Sequence, residues 1–166
     1  MTNALCDCPV RNCGCVRDMH SYVPYYKAVL EILKPNNVME WGPGLNTQMA
    51  LDVGASVTSV EHDKEWIPSS GHPRFACVWV PEDHESYTKL WSPADLYFVD
   101  GRRREECLEV ICHKSSGIVC LHDAQRKRYQ DSLNKFKYVR HLIFGFAIAS
   151  HCDKVVDIAD KIGKGV

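Results

Sequence analysis

No stretch of this chain restricts its fold more than Ala94-Asp95-Leu96-Tyr97-Phe98-Val99, which runs straight into Asp100-Gly101. A strand with one wet face alternates apolar and polar residues. An unbroken apolar run wants cover on both faces, the situation of a parallel sheet between two layers of helix. Shorter strand-like runs recur at Val38-Met39, Ser56 to Val60, Phe75 to Val80 and Gly117 to Leu121. Between them come segments with helical character, Asn46 to Val53 and the stripe Cys107, Leu108, Val110 and Ile111. Strands alternating with helices predict an α/β architecture. At 166 residues, one domain with one core is expected.

Acids stand at the carboxyl ends of these runs: Glu40, Glu61, Glu82-Asp83 after Pro81, Asp100, and Asp123 behind His122. In open α/β sheets, ligands bind outside those ends. Glu40 is followed by Trp41-Gly42-Pro43-Gly44-Leu45-Asn46-Thr47. Two glycines at this spacing let backbone amides come close to a ligand, and the helix start beyond them adds partial positive charge. Asn46 or Thr47 caps that helix and is placed to bond a ligand carboxylate, while Gly54 fits its far end. A dinucleotide fingerprint would need a third glycine where Thr47 stands, and Glu40 would repel a pyrophosphate. An acid at position 40 suits a ligand that brings an ammonium or a sulfonium. Glu61, about twenty residues on, is placed for ribose hydroxyls.

Glu40 to Thr47, taken with Val60-Glu61-His62-Asp63-Lys64-Glu65-Trp66, resembles the class I (Rossmann-like) S-adenosylmethionine-dependent methyltransferases. It is most similar to a subgroup carrying Glu-x-Gly-x-Gly-x-(Ser/Thr)-Thr and then Val-Glu-x-Asp-x-x-Trp. The resemblance covers roughly residues 20 to 150. It implies a doubly wound, mostly parallel seven-stranded sheet with helices on both faces and an antiparallel C-terminal strand pair, placed within Tyr138 to Ile158. It also implies S-adenosylmethionine as cofactor, held by Glu40, Trp41, Gly42, Pro43, Gly44, Asn46, Thr47, Glu61, His62 and Asp100. The helix from Ser21 to Leu33 would close over the cofactor, with Tyr22, Tyr25 and Tyr26 at the mouth or in the core. Pro81 departs from the family's pattern where adenine is bound.

An oxygen acceptor for a methyl group needs a base, or a metal ion to lower its pKa. Asp100, His122 and Asp123 are the catalytic candidates, with His122 the general base. Asp100 and Asp123 also resemble the metal-binding carboxylates of catechol-type and sugar O-methyltransferases, although Ala124 stands where those enzymes place a third ligand. The expected activity is methylation, at oxygen, of a small-molecule or sugar-like acceptor. The alternative is an S-adenosylmethionine- or nucleotide-binding module without transferase activity; an NAD-dependent oxidoreductase is disfavoured by Glu40 and Thr47. Arg102-Arg103-Arg104 open a helix against its dipole, so they either bind an anionic substrate group or pair with Glu105, Glu106 and Glu109. Residues 102 to 140 hold ten of the twenty basic residues against five acids, which favours an anionic acceptor.

A net charge of −1 gives no argument for nucleic acid. No apolar run approaches the length of a membrane span, and the N-terminus does not read as a signal peptide. Nine cysteines, an odd number, point to reduced thiols and a cytoplasmic setting. Cys6, Cys8, Cys13 and Cys15 make a Cys-rich segment over residues 1–20, read as a tetrahedral metal site, free thiols in a loose tail, or a disulfide or oligomer clip. The domain proper is placed at 21–160 and a frayed tail at 161–166. With no large insertion in the sequence, acceptor recognition falls to the N-terminal segment, the loop at 81–93, or a partner subunit.

Overall fold

The computed structural model describes residues 21–68 and 71–164; the cysteines at 6, 8, 13 and 15 lie outside them. From the amino end the elements are α1 (Val23–Leu33), β1 (Asn37–Trp41), α2 (Leu45–Asp52), β2 (Ser56–Glu61), a 3-10 turn (Lys64–Trp66), β3 (Phe75–Trp79) and α3 (Ser86–Lys89). They continue with β4 (Leu96–Val99), α4 (Arg104–Lys114), β5 (Ile118–His122), α5 (Lys127–Leu133), β6 (Tyr138–Ile143), β7 (Phe146–Ser150) and α6 (Lys154–Gly163). One sheet has the order β3-β2-β1-β4-β5-β7-β6. Its first five strands are parallel, and β7 and β6 run antiparallel to their neighbours. The winding reverses between β1 and β4, which is where such sheets open a crevice.

Local chemistry sets the element ends. Pro24 sits in the first turn of α1, where its missing N–H costs nothing. Lys34 turns left-handed (φ 48) and donates its N–H to Leu30 O before Pro35 forbids continuation. Gly54 (φ +97) closes α2 by donating to Leu51 O.

The sheet is covered on both sides, as the apolar run at 96–99 requires. Val38, Val57, Leu96, Phe98, Ile118 and Ile148 pack with Tyr26 and Leu30 of α1, Ala50 of α2, and Val155 and Ile158 of α6. The residues between them, Met39, Val60, Tyr97, Val99 and Leu121, pack with Leu108 and Ile111 of α4 and Leu133 of α5. Leu96 to Val99 are all fully buried, each worth roughly 1.5–3 kcal/mol of transfer free energy.

Two expectations need correction. The chain after β7 is not strand through Ile158 and does not fray at 161: it is α6, whose Val155, Ile158 and Ile162 are buried at helical spacing. The loop at 81–93 contains α3, which buries Tyr87 and Thr88. Edge strand β3 is thinly covered. Among the described residues only the 3-10 turn lies between β2 and β3, and Trp66, Val78 and Trp79 are exposed.

Candidate active site

Side chains alternate across a strand, so polar residues at the strand ends inherit the face of the apolar residues two positions earlier. Glu40 follows Val38, Asp100 follows Phe98, and His122 follows Cys120, all on the α1 side of the sheet. Glu61 falls on the same side, opposite in phase to Val60. Four chemically active groups therefore share one face at the strand ends without any loop having to fold back.

Glu40 has no exposed surface. Its Oε1 accepts from Thr47 Oγ1 at 2.5 Å and from the Ser59 hydroxyl, and its Oε2 accepts from Asn46 Nδ2 at 3.1 Å. Thr47 also accepts the Gly44 amide at 2.9 Å, and Asn46 Oδ1 accepts from Tyr22 Oη at 3.1 Å. The carboxylate thus pins the glycine turn and the start of α2 to β2. Both of its oxygens are taken by neighbouring side chains, where the expectation had them meeting a cationic ligand. Burial pushes its pKa from 4.5 up to about 7, against the pull of the hydrogen bonds from Ser59, Thr47 and Asn46. Burial, with Asp100 and Glu40 near, also pushes the Tyr22 phenol up, so Tyr22 remains a donor.

Trp41 and Pro43 are likewise buried. The Trp41 indole donates to Tyr87 O at 2.8 Å, so its side chain is core rather than a cofactor contact. Gly42 needs to be glycine: its φ is +90, and a Cβ there would lie 2.9 Å from Gly101 N. A Cβ on Gly101 would run into Tyr87 Oη. The turns after β1 and β4 are therefore packed backbone against backbone. Gly44 differs, since a Cβ would meet only Asn46 Oδ1 at 3.8 Å, and the space over it is open.

Glu61 is 4% exposed and organised through one oxygen. Oε1 accepts the amides of His62 (2.7 Å) and Asp63 (2.8 Å) and lies 2.6 Å from His62 Nδ1. Oε2 has no partner among the described residues. His62 reaches Arg102 Nε with its Nε2 at 3.3 Å, and its carbonyl accepts from the Trp79 indole at 2.9 Å. A carboxylate held by one oxygen and offering the other, beside the open space at Gly44, fits a ribose diol and an adenosyl ligand.

At the next strand ends, His122 Nδ1 is 2.8 Å from Asp100 Oδ1 and the Tyr22 ring lies over the imidazole, centroids 4.6 Å apart. His122 Nε2 has no partner among the described residues. Arg104, the first residue of α4, reaches both strand ends: Nη2 is 3.0 Å from Asp100 Oδ1 and Nη1 is 3.2 Å from Asp123 Oδ2. Arg126 Nη2 adds a second cation 3.0 Å from Asp123 Oδ2. Asp100 and Asp123, expected as possible metal ligands, are here bridged by the Arg104 guanidinium. No group of three or more His, Cys, Asp or Glu residues able to hold a metal occurs among the described residues.

The three arginines divide three ways. Arg103 pairs with Glu106 as the ion-pair alternative foresaw, whereas Arg102 shares Glu82 and His62, and Arg104 turns inward. With Lys135 on Glu109 as well, much of the positive charge expected to greet an anionic acceptor is spent internally. Sequence reasoning missed Ser59, Arg104 and Arg126 as site residues. The signal for Arg104 was present as an unfavourable charge on a helix start; its partners are not local and had no signal.

A parallel sheet of this order, with its last strand pair reversed and its polar groups at one crevice, is the class I methyltransferase fold. Compared by sequence, no family model and no curated protein matches the chain. Solved structures share the fold. The chain is similar to a methyltransferase-like protein from Silicibacter pomeroyi (17% identity, 82% of this chain and 94% of that one, TM-score 0.58). It is similar to an O-methyltransferase from Bacillus cereus in complex with S-adenosylhomocysteine (13% identity, 88% and 84%, TM-score 0.61). It also resembles the MycE methyltransferase of the mycinamycin biosynthetic pathway, in complex with Mg and S-adenosylhomocysteine (12% identity, TM-score 0.56). It covers 49% of MycE, against 78% of its own length.

Proposed function

We propose that this chain is an S-adenosylmethionine-dependent methyltransferase acting at an oxygen of a small-molecule acceptor, with His122 as general base. The observation that carries it is the placement, on one face of the sheet, of Glu61 and an Asp100–His122 pair whose Oε2 and Nε2 have no partner among the described residues. The Bacillus cereus and MycE structures, which hold S-adenosylhomocysteine on the same fold, support the choice of cofactor. S-adenosylmethionine, when bound, supplies a methyl group on a sulfonium.

Glu61 would hold the ribose through Oε2, and Gly44 and the start of α2 would take the amino-acid end. Glu40 acts from beneath by fixing that turn. Asp100 accepts from His122 Nδ1–H, which selects the tautomer whose Nε2 can take the acceptor's proton. Tyr22 covers the imidazole and keeps water from it. In-line displacement then depends mainly on holding the two reactants in register. MycE was crystallised with Mg, but here the guanidinium of Arg104 stands between the strand-end acids, so base catalysis is favoured over a metal. The five described cysteines are free thiols, consistent with a cytoplasmic setting, and no helix among the described residues is long and apolar enough to cross a membrane.

A second function, cofactor binding without transfer, is favoured by one observation: Arg104 and Arg126 neutralise the strand-end acids that would otherwise serve chemistry. Titration calorimetry with S-adenosylmethionine, S-adenosylhomocysteine and NAD tests the cofactor. Binding of the first two, weakened in Glu61→Ala by about 1–3 kcal/mol through lost hydrogen bonds, is expected. An unchanged affinity in that variant would place the cofactor elsewhere, and binding of NAD alone would make the chain an oxidoreductase. Release of S-adenosylhomocysteine across an acceptor panel separates transfer from binding.

A further inference from the structure

We propose that Arg104 is the resident cation of this site, a positioning residue that clasps Asp100 and Asp123 together and keeps a divalent metal ion out of the space between them. Its bearing on methyl transfer rests on the function proposed above; its existence does not.

A guanidinium has five N–H donors in a fixed plane. Arg104 makes four hydrogen bonds, Nε to Gly101 O (2.9 Å), Nη1 to His122 O (2.7 Å) and Asp123 Oδ2 (3.2 Å), and Nη2 to Asp100 O (2.8 Å), and Nη2 also lies in ion-pair contact 3.0 Å from Asp100 Oδ1. The side chain is only 11% exposed. Three main-chain carbonyls and two carboxylates, from the ends of two neighbouring strands, are thus tied by one residue. A lysine, with three donors on a point charge, could not satisfy this set.

The position also has a cost that only these partners offset. Arg104 opens α4, where positive charge opposes the helix dipole. Asp123 is left-handed at φ 59, a conformation that aspartate tolerates better than most side chains, with its carboxylate on Arg104 and Arg126. Without the guanidinium, two carboxylates at adjacent strand ends would be left beside a carbonyl cluster, the oxygen-rich setting that hard divalent cations take. Arg104 fills that role permanently, and in doing so aims Asp100 Oδ1 at His122 Nδ1.

The test is Mn2+ uptake, read from the paramagnetic resonance signal of the free ion, with no cofactor or acceptor present. Wild type and Asp123→Asn should be indistinguishable, both lacking a site. Arg104→Met, checked for native circular dichroism, should gain one site, at least about tenfold tighter than any wild-type uptake, since a bound cation has left two carboxylates behind. A wild-type site that Asp123→Asn abolishes overturns the proposal; so does a folded Arg104→Met that binds no better than wild type. Should Arg104→Met fail to fold, the wild-type and Asp123→Asn pair decides the matter alone. Because no nucleotide enters this assay, a failed cofactor titration and a failed metal test are separate results.

Discussion

Replacing Glu40 with glutamine should remove a specific pH dependence from the stability of this protein. Glu40 is fully buried, and its pKa rises from 4.5 to about 7 on folding. A carboxyl that binds its proton more tightly when folded contributes stability that is complete below pH 4.5 and is lost as the pH climbs to about 7. A shift of this size corresponds to about 3 kcal/mol, of which roughly 2.5 falls between pH 5 and pH 8. The amide cannot ionise, yet it keeps the acceptor that Thr47 and Ser59 use. A flip of Asn46 would let its Oδ1 accept from the new amide while Tyr22 takes the other end. The measurement is urea unfolding of both proteins at pH 5 and pH 8, combined as a double difference. All other titrating groups, and any constant loss from rearranged hydrogen bonds, cancel in that quantity. The variant should gain about 2.5 kcal/mol relative to wild type on going from pH 5 to pH 8. A double difference within about 0.5 kcal/mol of zero would mean that Glu40 is ionised throughout, and the account of its burial would fall.

Two further outcomes follow from the same geometry. Gly101→Ala puts a methyl against Tyr87 Oη and the carbonyl carbon of Trp41 (3.0 Å), and should cost about 1–3 kcal/mol by overpacking in thermal or chemical unfolding; a neutral result would show that the β1 and β4 turns are free to part. His122→Asn, once an acceptor is found, should leave calorimetric affinity for S-adenosylmethionine unchanged and slow turnover by about 10²–10⁴-fold, and equal turnover would remove His122 from the chemistry.

The sheet was legible because its strands are short apolar runs that each deliver an acid, a pattern that survives without knowledge of any contact. The glycine turn was legible for the same reason: Gly42 must take a positive φ whatever surrounds it. Glu40 was placed at the right strand end, but its partner Ser59 comes from 19 residues after it and Tyr22 reaches it only through Asn46, and spacing carries no word of either. Arg104 shows the same limit, because the charge was visible and the acids it joins are four and nineteen residues away on two strands. The C-terminal helix is a different kind of miss. Val155, Ile158 and Ile162 announce it by their period, and the expected strand pair drew attention past them.

The contact of Gly42 with Gly101 joins the turns after β1 and β4 peptide against peptide, with no side chain on either glycine to trim or enlarge. On the function proposed above, a change of acceptor would fall to the segment around α3, since His122 carries the proton transfer and Tyr22 is tied to Asn46. On that same proposal, libraries confined to that segment are expected to alter acceptor choice while leaving His122 and the glycine turn in place.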